Sequence, residues 1–192
     1  MKTCLFGGTF DPPHIGHLLI AQTVCEAENF DRIIFVPTNK SPHKKQITPV
    51  DHRLKMLNIA IDCNSNFEIS DIEIIRGGVS YTIDTIREMK EKIGAKKEDL
   101  FYLMGSDSLM GFHNWKDPRF ILDECQVNVA IRPGFRPSDI PSWIIDKMQF
   151  ANIPRFEISS RNIRHRWVEN KTIRYMVTLP VWDYIDKNNL YA

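Results

Sequence analysis

Apolar positions along this chain alternate between two spacings. "TCLFG", near the start, and "RIIFVP", residues 32–37, are short and almost continuously apolar, as strands buried on both faces must be. Between them "HLLIAQTVCEAENF" sets Leu18, Ala21, Val24 and Cys25 at helical spacing. Residues 48–62 predict a second helix, with Thr48 as cap, Pro49 at the first helical position and Leu54, Leu57 and Ile61 as its buried stripe. "FEISDIEI" then predicts a strand with Phe67 and Ile69 inward and, after a shift of phase, Ile72 and Ile74. In "YTIDTIREMKEKIG", Ile83, Ile86, Met89 and Ile93 share one helical face and Gly94 supplies the stop. "LFYLMG" and "VNVAIRPG" predict two further buried strands, each ending in glycine, with broken helix between them. After Gly134, "FRPSDIPSW" predicts a loop, "KMQFANIPRFEIS" the last strands, and the tail is mostly helical.

Strands alternating with helices imply an α/β fold: a Rossmann-like, doubly wound, mainly parallel sheet flanked by helices, with a helical C-terminal part and ligands outside the C-terminal strand ends. With 192 residues, 43% of them hydrophobic, and no repeat or linker, a single domain over residues 1–192 is expected. The 25 basic and 24 acidic side chains leave a formal charge of +1, so nothing draws the whole chain to nucleic acid or to an anionic membrane. An anion site must be assembled locally. The four cysteines are widely spaced and predict reduced, packed thiols, and the absence of a leader or of a long apolar run predicts a soluble, cytoplasmic protein.

The densest chemistry follows the first strand, in "GGTFDPPHIGH", residues 7–17. Gly7 and Gly8 let the main chain turn sharply and bring N–H groups against phosphate oxygens, and Thr9 adds a hydroxyl. Asp11 before Pro12 and Pro13 predicts a rigid turn. His14 and His17, three apart at a helix start, face one ligand together, reinforced by the positive end of the helix dipole, with Gly16 keeping the surface open. Two other readings of the pair stand beside this one: half of a metal site, whose third ligand the segment does not evidently supply, and a polar helix start.

A second anion site is readable at "ISSRNIR", residues 158–164, where serines before a helical stretch offer caps and unpaired N–H groups. Arg155, Arg161, Arg164, Arg166, Lys171 and Arg174 outnumber Glu157 and Glu169 there, although such a run also suits a solvated helix face. Ser160 and Arg164 are its strongest candidates.

"HIGH" is spelled as in class I aminoacyl-tRNA synthetases, but "GGTFDPPHIGHL" resembles the nucleotidyltransferase branch of that superfamily. A synthetase is far longer and carries a Lys-Met-Ser-Lys-Ser segment that this chain lacks. "ISSRNIR" resembles the branch's Ile-Ser-Ser-Thr-x-Ile-Arg motif, with Arg161 in place of threonine. Within the branch, "VPTNKSPHKK", "SYTIDTI", "GSDSLMGFHNW", "RPGF" and "LPVWDYIDKNNLY" resemble segments of the nicotinate-nucleotide adenylyltransferases over nearly the whole chain. The phosphopantetheine adenylyltransferases and cytidylyltransferases lack the Ser-Tyr-Thr and tryptophan segments.

The resemblance implies transfer of AMP from ATP, with Mg2+, to nicotinate mononucleotide, giving nicotinate adenine dinucleotide and pyrophosphate in NAD biosynthesis. It implies His14, His17 and Arg164 as catalytic groups, and Gly7, Gly8, Thr9, Phe10, Gly105, Asp107, Arg132, Ser159, Ser160 and Ile163 around ATP. Around the mononucleotide it implies His43, Lys44, Thr82, Thr85 and Trp115. Trp115 suits a pyridine ring or, equally, core packing, and backbone N–H groups around Thr82 and Thr85 suit the nicotinate carboxylate. Asp107 suits a ribose hydroxyl, a magnesium-bound water, or simply a surface turn. No protein-held metal, nucleic acid or membrane is expected, and a homo-oligomer is left open. Nicotinamide mononucleotide or phosphopantetheine as acceptor, and a non-catalytic nucleotide-binding module, remain as alternatives.

Overall fold

A computed structural model describes residues 1–42, 48–131, 135, 140–154 and 156–192. Strands β1 (Thr3–Gly8), β2 (Arg32–Pro37), β3 (Phe67–Ile69), β4 (Leu100–Gly105), β5 (Gln126–Ala130) and β6 (Met148–Ala151) form one sheet in the order β3-β2-β1-β4-β5-β6. Every neighbouring pair is parallel. The strand order reverses direction between β1 and β4, which opens a crevice outside their C-terminal ends, where such sheets bind ligands.

Helices cover both faces. Against one lie α1 (Ile15–Ala27), α2 (Val50–Ile61), α8 (Ser160–Val168) and α9 (Leu179–Lys187), which bury Ile20, Val24, Leu57, Ile163, Val181 and Ile185. Against the other lie α4 (Thr82–Ile93), α6 (Pro118–Glu124) and α7 (Ser142–Ile145), with Ile83, Ile86, Met89, Ile121, Leu122 and Ile144. A helix of 12 residues such as α4 is marginal alone in water. Burial contributes about 1.5–3 kcal/mol for each such side chain, so packing of its apolar stripe holds it in place. Gly94, left-handed at φ +61°, ends α4 as expected.

Three local expectations are corrected. "FEISDIEI" is not one strand: the Ser70 N–H makes a last bond to the Phe35 carbonyl, and the chain then turns into α3 (Ile72–Arg76), whose first turn bonds back to the Asp71 carbonyl. The shift of phase in the apolar pattern is that change of element. In α2, Pro49 rather than Thr48 is the cap, and the buried stripe is Arg53, Met56, Leu57, Ala60 and Ile61, with Leu54 half-buried. Among its described residues, "KMQFANIPRFEIS" contributes one strand, β6. The broken helix after β4 consists of α5 (Ser106–Leu109), a short 3-10 turn (Phe112–Asn114) and α6.

All four cysteines are free; Cys63 is exposed, and burial pushes the Cys125 thiol up to about 12, away from thiolate chemistry. Among the described residues no helix is long and apolar enough to cross a membrane.

Candidate active site

The end of β1 explains its glycines differently from the sequence. Gly7 and Gly8 are extended strand residues; a Cβ on Gly7 would lie 2.6 Å from the Tyr102 hydroxyl, and one on Gly8 would lie 2.8 Å from the Phe10 ring. They are small to admit two rings. The left-handed residue is Phe10, at φ +49°, and its side chain turns into the core against Phe6, Phe35 and His17 instead of lining a cavity.

After the cis Asp11–Pro12 peptide, His14 caps α1. The His14 Nδ1 accepts the His17 backbone N–H at 3.3 Å, and the His17 Nδ1 accepts the His14 backbone N–H at 3.2 Å. With both Nδ1 lone pairs occupied, the network assigns each neutral ring its proton on Nε2, which makes both rings donors there. The rings stack with centroids 3.6 Å apart, so two positive charges would repel strongly. Gly16 is buried rather than part of an open surface: its Cβ would lie 2.6 Å from Phe156 and 3.0 Å from the His14 ring. Among the described residues no cluster of three or more His, Cys, Asp or Glu suits a metal ion.

The turn that presents His14 is clamped from several sides. Ser160 Oγ donates to the Pro12 carbonyl at 2.9 Å, and Arg164 Nη1 to the Asp11 carbonyl at 2.6 Å. The Asp11 carboxylate is buried, taking the Tyr191 hydroxyl on Oδ1 at 2.8 Å and the Thr48 N–H on Oδ2 at 3.1 Å. Beneath it Arg53, 1% exposed, donates to the carbonyls of Thr48, Thr9 and Asn39. Burial lowers its pKa, and the Asp11 charge offsets part of that. Ser159 is the cap of α8, its hydroxyl accepting the Asn162 N–H at 3.2 Å. Because the Ser160 hydroxyl proton is committed to Pro12, the donors that α8 offers a ligand are the N–H groups of its first turn. The Ile163 side chain is wholly buried in the core and is not part of the lining of the large cavity.

Two cavities open at the strand ends. The larger, about 810 Å³, is lined by His14, His17, Asp107, Ser159, Ser160, Arg161 and Arg164 together with Gly7, Gly8, Thr9 and Gly105. The smaller, about 290 Å³, is lined by Trp115, Thr82, Tyr102, Glu73, Asn114 and Lys116 among others. Gly7, Gly8, Thr9, Gly105 and Ser108 belong to both walls, so occupants of the two cavities would meet over β1 and β4.

In the smaller cavity Trp115 is half-buried, packed on Phe112 and edge-on to Tyr102, so it packs on the core on one side and lines the cavity on the other. Thr82 opens α4, whose first N–H groups have no intrahelical acceptor. Thr85 lies behind the wall: its N–H bonds the Tyr81 carbonyl, and its hydroxyl donates to Glu73 Oε1 at 2.6 Å and accepts from Arg76 at 3.0 Å. It therefore supports the helix start and does not touch the cavity. His43, Lys44 and Arg132 lie outside the described residues.

Sequence reasoning missed Tyr102, Glu73, Lys116 and Arg53. Arg53 left a trace, an arginine on the buried stripe of α2, and Lys116 follows the tryptophan directly. The Lys116 ammonium bonds Asp84 at 2.9 Å and lies over the Tyr81 ring. Tyr102 and Glu73 sit in apolar runs and carried no signal.

The family model described as cytidylyltransferase-like matches residues 5–166. The chain is 40% identical over 185 residues to a probable nicotinate-nucleotide adenylyltransferase of Tropheryma whipplei (strain TW08/27), covering 96% of this chain and 97% of that one. It is 39% identical over 193 residues to the corresponding protein of Exiguobacterium sibiricum, covering 100% of both. The chain belongs to the nicotinate-nucleotide adenylyltransferase family. Among solved structures, the Plasmodium falciparum nicotinic acid mononucleotide adenylyltransferase complexed with NaAD superposes with a TM-score of 0.83, covering 100% of this chain and 98% of that one. At 24% identity, that likeness establishes that this adenylyltransferase family member shares its fold.

Proposed function

We propose that the chain transfers AMP from ATP to nicotinate mononucleotide, releasing pyrophosphate and forming nicotinate adenine dinucleotide for NAD biosynthesis. The observation that carries this reading is the pair of cavities with a common wall at Gly7–Thr9 and Gly105. One wall is rich in donors for a triphosphate, the other offers an aromatic face and a helix start for a pyridine carboxylate. The family membership points the same way.

The mononucleotide's phosphate is the nucleophile. It is already ionised at neutral pH, so no general base is needed, and catalysis reduces to alignment and neutralisation of charge at the α-phosphorus and on the departing pyrophosphate. A bond forms between the mononucleotide oxygen and the α-phosphorus as the bond to the β-phosphate oxygen breaks, and no protein-bound intermediate arises. His14 and His17 supply Nε2–H donors to the α- and β-phosphates, with Gly8 and Thr9 main chain beneath them. The first turn of α8 and Arg164 hold the β- and γ-phosphates as charge builds there. Arg161 lines the same cavity, so the departure from threonine leaves a donor in place and favours catalysis over a silent binding module.

Mg2+ enters with the triphosphate. One carboxylate near the phosphates, Asp107, fits an ion that keeps most of its waters, and when bound the ion neutralises phosphate charge. The N–H groups opening α4 favour a carboxylate and Trp115 stacks on the pyridine, while Lys116, paired with Asp84, borders the same cavity. The family resemblance assigns His43 and Lys44 to the mononucleotide phosphate and Arg132 to the adenine side; all three lie outside the described residues. A single cytoplasmic domain carries the whole reaction.

The test is pyrophosphate release from ATP and Mg2+ with nicotinate mononucleotide, nicotinamide mononucleotide and phosphopantetheine offered separately. Selective turnover of the nicotinate acceptor is expected. Preference for another acceptor overturns the assignment of the smaller cavity, and ATP binding without turnover overturns catalysis.

A further inference from the structure

We infer that Tyr191 is a positioning residue for adenylyl transfer: by satisfying the Asp11 carboxylate it leaves Arg164 directed to the triphosphate. The inference rests on the reading above. Tyr191 follows α9 and reaches across the chain to donate its hydroxyl to Asp11 Oδ1 at 2.8 Å. It holds φ at +67°, a left-handed backbone that a tyrosine keeps only where its surroundings fix it. Burial, and then the adjacent carboxylate, push its phenol pKa up, so it is a neutral donor throughout the working range.

Asp11 is 3% exposed and needs a donor on each oxygen; the Thr48 N–H serves Oδ2 and Tyr191 serves Oδ1. Arg53 also faces the carboxylate, but its guanidinium is committed to three main-chain carbonyls, which leaves Arg164 as the donor beside the turn that can answer a bare oxygen. Its Nη1 already bonds the Asp11 main-chain oxygen at 2.6 Å, and Arg164, Asp11 and Tyr191 line one open cavity on the far side of the turn. Arg164 also lines the large cavity, so it stands between a fixed carboxylate and the expected triphosphate. An unpartnered buried carboxylate is costly, and a guanidinium shifting towards it would remove that cost at the expense of the phosphate contact. The phenol prevents that capture.

Tyr191→Phe tests this. The expected result is a kcat about 10-fold lower, the scale of one charged hydrogen bond, with KM for nicotinate mononucleotide unchanged. Affinity for a non-hydrolysable ATP analogue falls by about the same factor, a readout that needs no turnover. In an Asp11→Asn background, where no anion competes for Arg164, the added Tyr191→Phe change should cost less than about threefold. A Tyr191→Phe enzyme that keeps wild-type kcat and analogue affinity overturns the inference, as does an equal loss in the Asp11→Asn background. A wild-type protein that turns over no acceptor overturns the proposed reaction instead, and the analogue affinities then decide the inference by themselves.

Discussion

Replacing Gly16 with alanine adds one methyl group at the base of the histidine pair. Gly16 is buried in the first turn of α1, where alanine gains about 1 kcal/mol in helix propensity. Against that, the new Cβ lies 2.6 Å from Phe156 Cε2, 3.0 Å from His14 Nδ1 and 3.1 Å from His14 Cε1. Contacts of this kind settle at about 3.5–4.0 Å, so the phenylalanine ring must retreat by roughly 1 Å and the imidazole by roughly half that. Overpacking of this sort costs about 1–3 kcal/mol, which leaves a net destabilisation of about 0–2 kcal/mol, or up to roughly 8 °C in Tm for a chain of this size.

The chemical cost is larger. Phe156 is a half-buried side chain at the edge of the core, whereas His14 is held by the His17 N–H and by stacking at 3.6 Å, so a push on the His14 ring moves both donors. A displacement approaching 1 Å costs about 10²-fold, so Gly16→Ala should lower kcat by roughly 10- to 10²-fold while remaining folded. Steady-state kinetics on protein of verified Tm reads this. Adding Phe156→Leu should recover stability and not kcat, because it relieves only the first contact. A Gly16→Ala enzyme within threefold of wild-type kcat refutes the reasoning, and so does recovery of kcat by Phe156→Leu.

His17→Ala removes one Nε2–H donor and should reduce kcat by ~10²–10³, with near wild-type kcat excluding His17 from the chemistry. Trp115→Ala should raise KM for nicotinate mononucleotide by about tenfold and leave KM for ATP unchanged, since the indole lines only the smaller cavity; a defect confined to ATP would displace the pyridine from that cavity. The Glu124 carboxyl is held below its ordinary value, first by its hydrogen bond from Lys90, at 2.8 Å, and then by the charges of Lys90 and Arg87. Its contribution to stability is therefore present above the ordinary glutamate range and lost as pH falls through the lowered value, so urea titrations should show Glu124→Gln losing that acidic dependence. Identical pH profiles for the two proteins would contradict it.

How far the sequence reached is clearest in the elements that build the crevice. Period and length were enough for β1, β2, β4, β5 and the amphipathic α4, because a strand buried on both faces and a helix buried on one leave unambiguous patterns. They failed at Ser70, where a strand becomes a helix inside one apolar run and only the last ladder bond to Phe35 marks the change. At the site, the motif residues His14, His17, Ser159, Ser160, Arg164, Thr82 and Trp115 were legible because helix starts and strand ends advertise themselves in glycine, serine and proline.

Their partners were not. That the Ser160 hydroxyl is spent on Pro12, why Gly7 must admit Tyr102, and that Thr85 stands behind the wall all depend on segments distant in the chain. Nor does any local pattern join Tyr191 to Asp11. The sequence by itself determined the alternating fold, the end of the sheet at which the candidate site opens and the family. The tertiary structure decided where the Ser160 hydroxyl is spent and how Arg164 and Arg53 are held, because those depend on hydrogen bonds closed between residues far apart in the chain, which local periodicity does not encode.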